Sequence, residues 1–143
     1  MRGFGALLTL TDLQSVEELD LVNKGGIPEQ VVGQLLRTID PFFIPPELYY
    51  WLSTDKHASA EIDYVIQHGI HLVPIEVKAG TTGTLKSLHR FMLLKNRKLA
   101  VRINSALPLI SEVKVKDTLG NPIQYQMRSI PFYLIGELHR LLD

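Results

Sequence analysis

The amino-acid sequence predicts an α/β fold with a central mixed sheet of about four strands, flanked by helices and followed by an extra C-terminal hairpin and helix. Three observations predict it: a strong hairpin pattern over residues 61–78, helical patterns on both sides of that hairpin, and strand and helix patterns that alternate along the chain. A chain of 143 residues is long enough to bury a core and suits one unit. We therefore expect a single domain over residues 1–143.

The first part of the chain predicts a helix. Residues 9–21 mix apolar and acidic side chains, and we expect a short helix or loop there, followed by a glycine turn over residues 23–26. A proline suited to the first helical position starts a helix predicted over residues 28–39. Because of helical spacing, Glu29 is expected on the packed side of this helix. The residues that share this side are Val32, Gly33 and Leu36.

The hairpin is the most regular pattern in the sequence. Residues 61–67 and 72–78 are rich in β-branched and aromatic types, with a glycine break between them at Gly69. Because side chains alternate faces along a strand, one face of the hairpin is predicted to be wholly apolar. That face comprises Ile62, Tyr64, Ile66, Val73, Ile75 and Val77.

Charged side chains occupy the other face of the hairpin. A two-residue loop at Gly69-Ile70 places Asp63 directly opposite Glu76, whereas a loop at His68-Gly69 shifts the register by two residues. Both registers keep Asp63, Glu76 and Lys78 close together. Two opposed carboxylates repel and lose hydration when they are covered, so the arrangement favours a hard divalent cation. The simpler interpretation is a cross-strand ion-pair cluster on a solvated face, with no chemistry attached.

The remaining patterns supply the other strands and helices. An aromatic stretch at residues 47–52 predicts the first strand, and residues 85–95 follow a helical period. Residues 98–104 predict a fourth strand, and residues 112–127 predict a hairpin. Residues 131–142 predict a closing helix with an apolar face. The aromatic side chains at residues 49–51 are interpreted as core and sheet cover, and the outward side of the 85–95 helix is expected to carry Lys86, His89 and Arg90.

Asp63, followed on the next strand by Glu76-Val77-Lys78, resembles the motif of the PD-(D/E)XK nuclease superfamily. In that superfamily an acidic residue on one strand and an E-x-K on the next bind divalent metal and cleave phosphodiester bonds, and an earlier helix often contributes a glutamate. The resemblance implies a restriction-endonuclease-like core in which Asp63, Glu76 and the Val77 carbonyl hold Mg²⁺ or Mn²⁺. It further implies that Glu29 completes the site and that Lys78 positions the attacking water or stabilises the pentavalent phosphorus.

The chain is also similar to an uncharacterised domain that follows an AAA-type ATPase module in many bacterial and archaeal proteins. The similar residues are 23–26, 29, 49–51, 60–63, 74–80, 87, 88 and 91. Two features depart from this pattern: Ile62 rather than proline precedes Asp63, and the chain contains no phosphate-binding loop of the form G-x-x-x-x-G-K-[ST]. The resemblance implies a fragment or derivative of an ATPase-fused protein, with an ATPase module as an expected partner.

The charges are unevenly placed, although the formal net charge is zero. Residues 77–111 contain no acid, and the basic residues in this stretch are suited to hold a phosphate backbone. The predicted nucleic-acid contacts are Lys86, Arg90, Lys95, Arg97 and Lys98. An ordinary solvated helix face is the simpler interpretation, and the neutral balance argues against tight nonspecific binding.

Composition and spacing exclude several other classes. The absence of cysteine excludes disulfides and thiolate metal sites, and no segment reaches about 18 consecutive apolar residues, so no transmembrane helix is predicted. Asp12 interrupts the apolar start of the chain before a signal peptide develops, and we expect a cytoplasmic protein. His68 and His71 flank the hairpin turn without further ligands at a recognised spacing, so no zinc site is predicted there.

These observations predict a metal-dependent nuclease-type domain that hydrolyses phosphodiester bonds in DNA or RNA. The alternative is a catalytically silent interaction module that keeps the same fold. Such a module would dock an ATPase, another partner protein, or a second copy of itself in a homodimer. Metal binding at the charged face of the hairpin distinguishes the two hypotheses.

Overall fold

A computed structural model describes residues 26–55, 59–80 and 83–143 of the chain. The predicted helix or loop at residues 9–21 lies outside these residues, as does most of the predicted glycine turn at residues 23–26. The described elements follow the order helix, three strands, helix, three strands and a closing helical segment. The predicted α/β class with a mixed sheet is confirmed.

The helices differ from their predicted bounds mainly at the ends. α1 is Gly26–Leu36, and α2 is Lys86–Lys95. α1 ends before the predicted residue 39 because the Thr38 hydroxyl and backbone N–H both donate to the Leu35 carbonyl, which tightens the last turn. The predicted closing helix at residues 131–142 is wrong in its first half, where the chain forms a 3₁₀ helix at Phe132–Glu137 before α3, Leu138–Leu142. No helix in the described part of the chain has the length and apolar character needed to cross a bilayer.

Within the described residues, six strands form one sheet in the order β1-β2-β3-β4-β6-β5. β3, β4 and β6 run parallel to one another, whereas β1, β2 and β5 are antiparallel to their neighbours. The C-terminal hairpin is not an addition to the predicted four-stranded sheet, because β6 pairs with β4 and brings β5 in beside it. The strands are β1 Tyr49–Leu52, β2 Glu61–His68, β3 His71–Val77, β4 Leu99–Asn104, β5 Leu109–Lys116 and β6 Pro122–Pro131.

The β2–β3 hairpin has the first of the two predicted registers. His68 pairs with His71 around a loop of Gly69 and Ile70, and the pairing runs on to Tyr64 opposite Ile75. Gly69 has a φ of 58°, which a two-residue hairpin turn requires at its first central position and which favours glycine. Continued by one position, this register places Asp63 opposite Glu76.

A β-bulge in β2 overturns the predicted apolar face of the hairpin. Between the pairs Tyr49–Val65 and Trp51–Ile62, β2 uses one residue more than β1. Because of the extra residue, the side chains before the bulge no longer alternate in step with those after it. Ile62 therefore lies on the opposite face of the sheet from Ile66. Sequence alternation alone cannot reveal such a bulge.

Helical segments cover the sheet on both faces. α1, the 3₁₀ helix and α3 pack on one face, which we call the α1 face; its buried residues include Val32, Ile75 and Ile103. α2 packs on the opposite face, which we call the α2 face. The buried residues there are Ile62, Val65, Leu88, Phe91, Met92, Ala100, Ile123 and Tyr125.

The aromatic stretch of β1 only partly fits its predicted role as sheet cover. Trp51 packs edge-on against Phe91, with ring centroids 5.2 Å apart. Tyr49 and Tyr50 are exposed instead, Tyr50 by 72%. They lie on an edge strand, where side chains have a neighbouring strand on one side only.

Candidate functional site

The candidate site lies where the parallel strands end. Because β3, β4 and β6 run in the same direction, their carboxyl ends, Val77, Asn104 and Pro131, meet at one edge of the sheet. We call this the carboxyl edge. Ligands of open α/β sheets bind preferentially outside such an edge. The antiparallel strand β2 starts at the same edge and brings Asp63 to it.

Asp63 is held at this edge by a backbone donor. The N–H of Val77 donates to Asp63 Oδ2 at 2.7 Å. The bulge in β2 allows this contact because it turns Asp63 out of the regular alternation of the strand. The carboxylate therefore has a defined position beside the end of β3.

Glu76 and Lys78 form an ion pair beside Asp63. Lys78 Nζ donates to Glu76 Oε1 at 2.5 Å. Glu76 is only 6% exposed, and within the described residues its second oxygen, Oε2, is buried without a hydrogen-bond partner. A buried carboxylate oxygen normally has a donor or a cation beside it. The predicted proximity of Glu76 and Lys78 is thus observed, and Oε2 is the atom that a cation would satisfy.

The glycine-containing loop after β3 packs against Lys78. A Cβ on Gly83 would lie 2.9 Å from Lys78 Cδ, and Gly83 has a φ of 143°. Both the close approach and the backbone angle favour glycine at this position. The stem of Lys78 is therefore confined between this loop and the sheet, which directs its ammonium group to Glu76.

Glu29 approaches the same edge from the α1 face. The backbone of Glu29 is held in place because the Tyr64 hydroxyl donates to the Glu29 carbonyl at 2.8 Å. A Cβ on Gly33 would lie 2.5 Å from the Tyr64 hydroxyl oxygen, so glycine is needed one turn further along α1 for this contact. The charges of Asp63 and Lys78 act on the Glu29 carboxyl, which places it within electrostatic range of the pair at the sheet.

The surroundings raise the pKa of all three carboxyl groups, those of Glu29, Asp63 and Glu76. Burial raises the pKa of Glu76 despite the hydrogen bond from Lys78, and it raises the pKa of Asp63 despite the hydrogen bond from Val77. Burial and the charge of Asp63 also raise the pKa of Glu29. These directions have one cause: negative charge is concentrated where little water reaches it. A divalent cation at the carboxyl edge would lower each of these pKa values.

The donor set fits a hard divalent cation that keeps much of its water. Across residues 26–55, 59–80 and 83–143, no three His, Cys, Asp or Glu side chains are arranged as a metal cage. Mg²⁺ does not need such a cage, since it is commonly bound by one or two carboxylates with water in the other positions. Asp63 and the unpartnered Oε2 of Glu76 supply two oxygen ligands of this kind.

The predicted nucleic-acid contacts are divided between the two ends of the sheet. Lys86 begins α2 next to Ser87, whose hydroxyl accepts from the Glu61 N–H at 3.4 Å, so Lys86 lies near the carboxyl edge. Arg90 is paired with Asp55 at 2.7 Å. The other three lie at the opposite end, where Lys95 ends α2, and Arg97 and Lys98 line a hollow with His71. The structure therefore brings only part of the set to the proposed metal site.

Sequence reasoning missed two polar pairs on the α2 face. Asn104 Nδ2 donates to Ser129 Oγ at 2.9 Å, and both residues are buried beside the carboxyl edge. His89, expected on the outward side of α2, is half-buried instead, with Nδ1 3.0 Å from the Tyr125 hydroxyl. Burial lowers the pKa of His89, and burial together with the charge of Glu76 raises the pKa of Tyr125 to about 12. The sequence contains no clear signal of either pair, because His89 is followed by Arg90 and Ser129 is preceded by Arg128, so neither residue stands out within an apolar stretch.

The chain matches a known family. A family model described as "Domain of unknown function (DUF4143)" matches residues 24–119 of the chain. The matched stretch begins just before α1 and includes Glu29, Asp63, Glu76 and Lys78. No curated protein and no solved structure matches the chain.

Proposed function

This chain belongs to the DUF4143 family, and from the geometry of the carboxyl edge we propose that it is a metal-dependent nuclease-type domain of the PD-(D/E)XK superfamily. The proposed reaction is hydrolysis of phosphodiester bonds in DNA or RNA. One observation carries the proposal: Asp63, Glu76 and Lys78 lie together at the carboxyl edge, and the buried Oε2 of Glu76 has no hydrogen-bond partner in the described residues.

Each residue has a distinct role in this proposal. Asp63 and Glu76 hold Mg²⁺ or Mn²⁺ together with the Val77 carbonyl. A bound cation of this kind supplies charge neutralisation and a more acidic water at neutral pH. Lys78, whose stem is confined by Gly83, keeps a positive charge where a phosphate oxygen gains negative charge.

Glu29 and Lys86 extend the site beyond the two strands. The charges of Asp63 and Lys78 act on the Glu29 carboxyl, which would complete the ligand shell through water. Lys86 is a basic residue near the carboxyl edge and contributes contact to a phosphate of the substrate backbone. The cytoplasm is the proposed location, in keeping with a chain that contains no cysteine.

Calorimetric titration with Mn²⁺ tests the metal site directly. We expect wild type to bind one ion and Glu76→Gln, which keeps the shape of the side chain without its charge, to lose most of that binding. Glu112→Gln is the matched control, since Glu112 is exposed on the edge strand β5. Equal Mn²⁺ binding by wild type and Glu76→Gln would overturn the assignment of the metal to this carboxylate.

Exposed apolar side chains favour one second candidate function. Several large apolar residues before and within the edge strand β1 lie in solvent, and Phe42 is 99% exposed. Large apolar side chains that are exposed close together in the chain favour a protein interface. A catalytically silent module would use this surface to dock an ATPase module, another partner protein or a second copy of the chain. These residues are Phe42, Phe43, Ile44, Tyr49, Tyr50 and Leu52.

Substitution of the exposed surface separates the two functions. Tyr50→Ser would weaken self-association or partner binding in the docking hypothesis, with Mn²⁺ affinity unchanged. Sedimentation velocity of wild type and variant over a range of concentrations measures self-association. If wild type fails to bind Mn²⁺ and self-associates through Tyr50, the docking function replaces the nuclease proposal.

A further inference from the structure

Four ionisable side chains form a continuous chain at the hairpin-turn end of β2, away from the carboxyl edge. Asp40 Oδ1 lies 3.0 Å from His139 Nε2, and His68 Nε2 lies 3.0 Å from Asp143 Oδ1. The two histidines meet in the middle, with their Nδ1 atoms 2.9 Å apart. We call these four residues the histidine clamp. Asp40 comes from the segment that follows α1, His68 from the end of β2, and His139 and Asp143 from α3 and the residue after it, so the clamp joins three segments that are far apart in the sequence.

The contacts of the clamp determine how many protons it holds. A ring nitrogen that faces a carboxylate must carry a proton, because its lone pair would otherwise face a negative charge. Both Nε2 atoms are therefore N–H donors to Asp40 and Asp143. The two Nδ1 atoms then have opposed lone pairs unless a cation lies between them. One additional proton turns this repulsion into an N–H···N hydrogen bond.

The ring geometry fits a proton between the histidines and not a metal ion. The ring centroids are 5.2 Å apart and the planes differ by 21°. The distance between the centroids equals the Nδ1–Nδ1 distance plus one ring radius for each histidine, so the two centroids and the two Nδ1 atoms lie nearly on one line. The lone pairs of the two Nδ1 atoms therefore point at each other. A metal placed on that line would need the nitrogens about 4 Å apart, since Zn–N bonds are about 2.0 to 2.1 Å long.

The surroundings favour one bridging proton over none or two. On the side of His139, Asp40 and Glu47 line the same hollow and favour positive charge. On the side of His68, Asp143 favours positive charge in the same way, but the basic Arg97 and Lys98 line a hollow with His68 and disfavour a second positive charge. The other ionisable groups nearby are His71, which shares that hollow, the mutually paired Arg140 and Glu137, and Arg128, which donates to the Leu141 carbonyl.

We propose that His68 and His139 share one proton, and that this proton fastens α3 to the β2–β3 hairpin and to the end of α1 as a pH-sensitive clamp. If the shared proton is lost, the lone pairs of the two Nδ1 atoms face each other and repel. If a second proton is gained, two positively charged rings face each other and repel. Either change weakens the attachment of α3, whose Leu138 and Leu142 lie in the core of the α1 face. The clamp is thus closed only while a single proton lies between the two rings.

Nuclear magnetic resonance of the histidine rings in wild type tests the proposal without any substitution. A shared proton gives one strongly downfield ring N–H signal that connects the His68 and His139 rings. Because the proton is shared, a change in the protonation of either ring then shifts the signals of both rings together. Independent titration of the two rings would overturn the proposal. So would binding of one added Zn²⁺ ion to the paired Nδ1 atoms.

A variant pair provides the second measurement. His139→Gln removes the shared proton, whereas His71→Gln changes a neighbouring exposed histidine that belongs to the same hairpin end. We expect His139→Gln to lower the melting temperature by a few degrees where the clamp is closed, with the difference from wild type vanishing at alkaline pH. His71→Gln should match wild type at every pH. A constant difference between His139→Gln and wild type across the pH range would contradict the clamp.

Discussion

Asp63 accepts, through its side chain, a hydrogen bond from the last backbone N–H of β3, that of Val77, at 2.7 Å. The same carboxylate therefore completes the strand ladder and forms half of the proposed metal site. This double role separates two substitutions that remove the same charge. Asn keeps an acceptor oxygen at this position, and Ala does not.

We predict that Asp63→Ala is less stable than Asp63→Asn by about 1 kcal/mol, the usual net value of one hydrogen bond. Both variants should lose Mn²⁺ affinity, because neither carries the carboxylate charge. Urea denaturation measures the stability difference. Equal stability of the two variants would mean that the Val77 N–H finds another acceptor.

Gly33→Ala should destabilise the protein by roughly 1 to 3 kcal/mol, as overpacking in a filled site does. The added methyl group would lie 2.5 Å from the Tyr64 hydroxyl oxygen, so α1 must shift or Tyr64 must give up its bond to the Glu29 carbonyl. Thermal unfolding measures the loss. Gly136→Ala is the control, since a Cβ there meets nothing within 4 Å. A Gly33→Ala variant as stable as the control would show that α1 is not held by this contact.

The pH dependence of stability should differ between wild type and Glu76→Gln in the presence of a chelator. Burial raises the pKa of Glu76, so the folded protein keeps that proton at a pH where the unfolded chain has released it. The contribution of Glu76 to stability is full below its ordinary pKa and is lost as the pH rises through the raised value. The stability of the variant relative to wild type should therefore improve with rising pH.

Melting temperatures of wild type, Glu76→Gln and the control Glu112→Gln across the acidic range measure this effect. Added Mn²⁺ should restore the lost stability of wild type and leave Glu76→Gln unchanged, because ligand binding stabilises only a protein that has the site. A wild type that gains stability with rising pH relative to the variant would contradict the raised pKa.

Lys78→Met should keep the fold and lose the proposed cleavage. The stem of Lys78 packs under Gly83, and methionine preserves much of that apolar contact while it removes the charge. Circular dichroism checks the fold, and gel-based cleavage assays check the activity. Lys114→Met is the matched control, because Lys114 is exposed on the edge strand β5 and is not among the predicted nucleic-acid contacts. Unchanged cleavage by Lys78→Met would remove this lysine from the mechanism.

The sequence was sufficient to predict that Asp63, Glu76 and Lys78 lie near one another, because these residues belong to one hairpin and the residue after it. The two-residue loop at Gly69-Ile70 and strict alternation on β3 together place Asp63, Glu76 and Lys78 near one another. Most strand positions follow from the same local pattern. The sequence left two registers open, and the structure has the one in which Gly69, with its positive φ, occupies the first central position of the turn.

The features that the sequence did not predict depend on distant neighbours. The bulge that moves Ile62 to the α2 face arises from pairing with β1, and the six-stranded sheet arises because β6 pairs with β4. The histidine clamp requires α3 to meet the end of β2, which brings His139 to His68. Local periodicity contains no information about any of these contacts.

Cleavage of labelled single-stranded DNA, duplex DNA and RNA under single-turnover conditions tests the central claim most directly. The assay compares wild type, Asp63→Asn and Glu112→Gln with Mg²⁺ or Mn²⁺ and with a chelator. We predict that wild type and Glu112→Gln cleave at least one of these substrates only when the metal is added, and that Asp63→Asn cleaves none. Cleavage by Asp63→Asn at the wild-type rate, or no cleavage by wild type that has bound Mn²⁺, would contradict the proposed nuclease function.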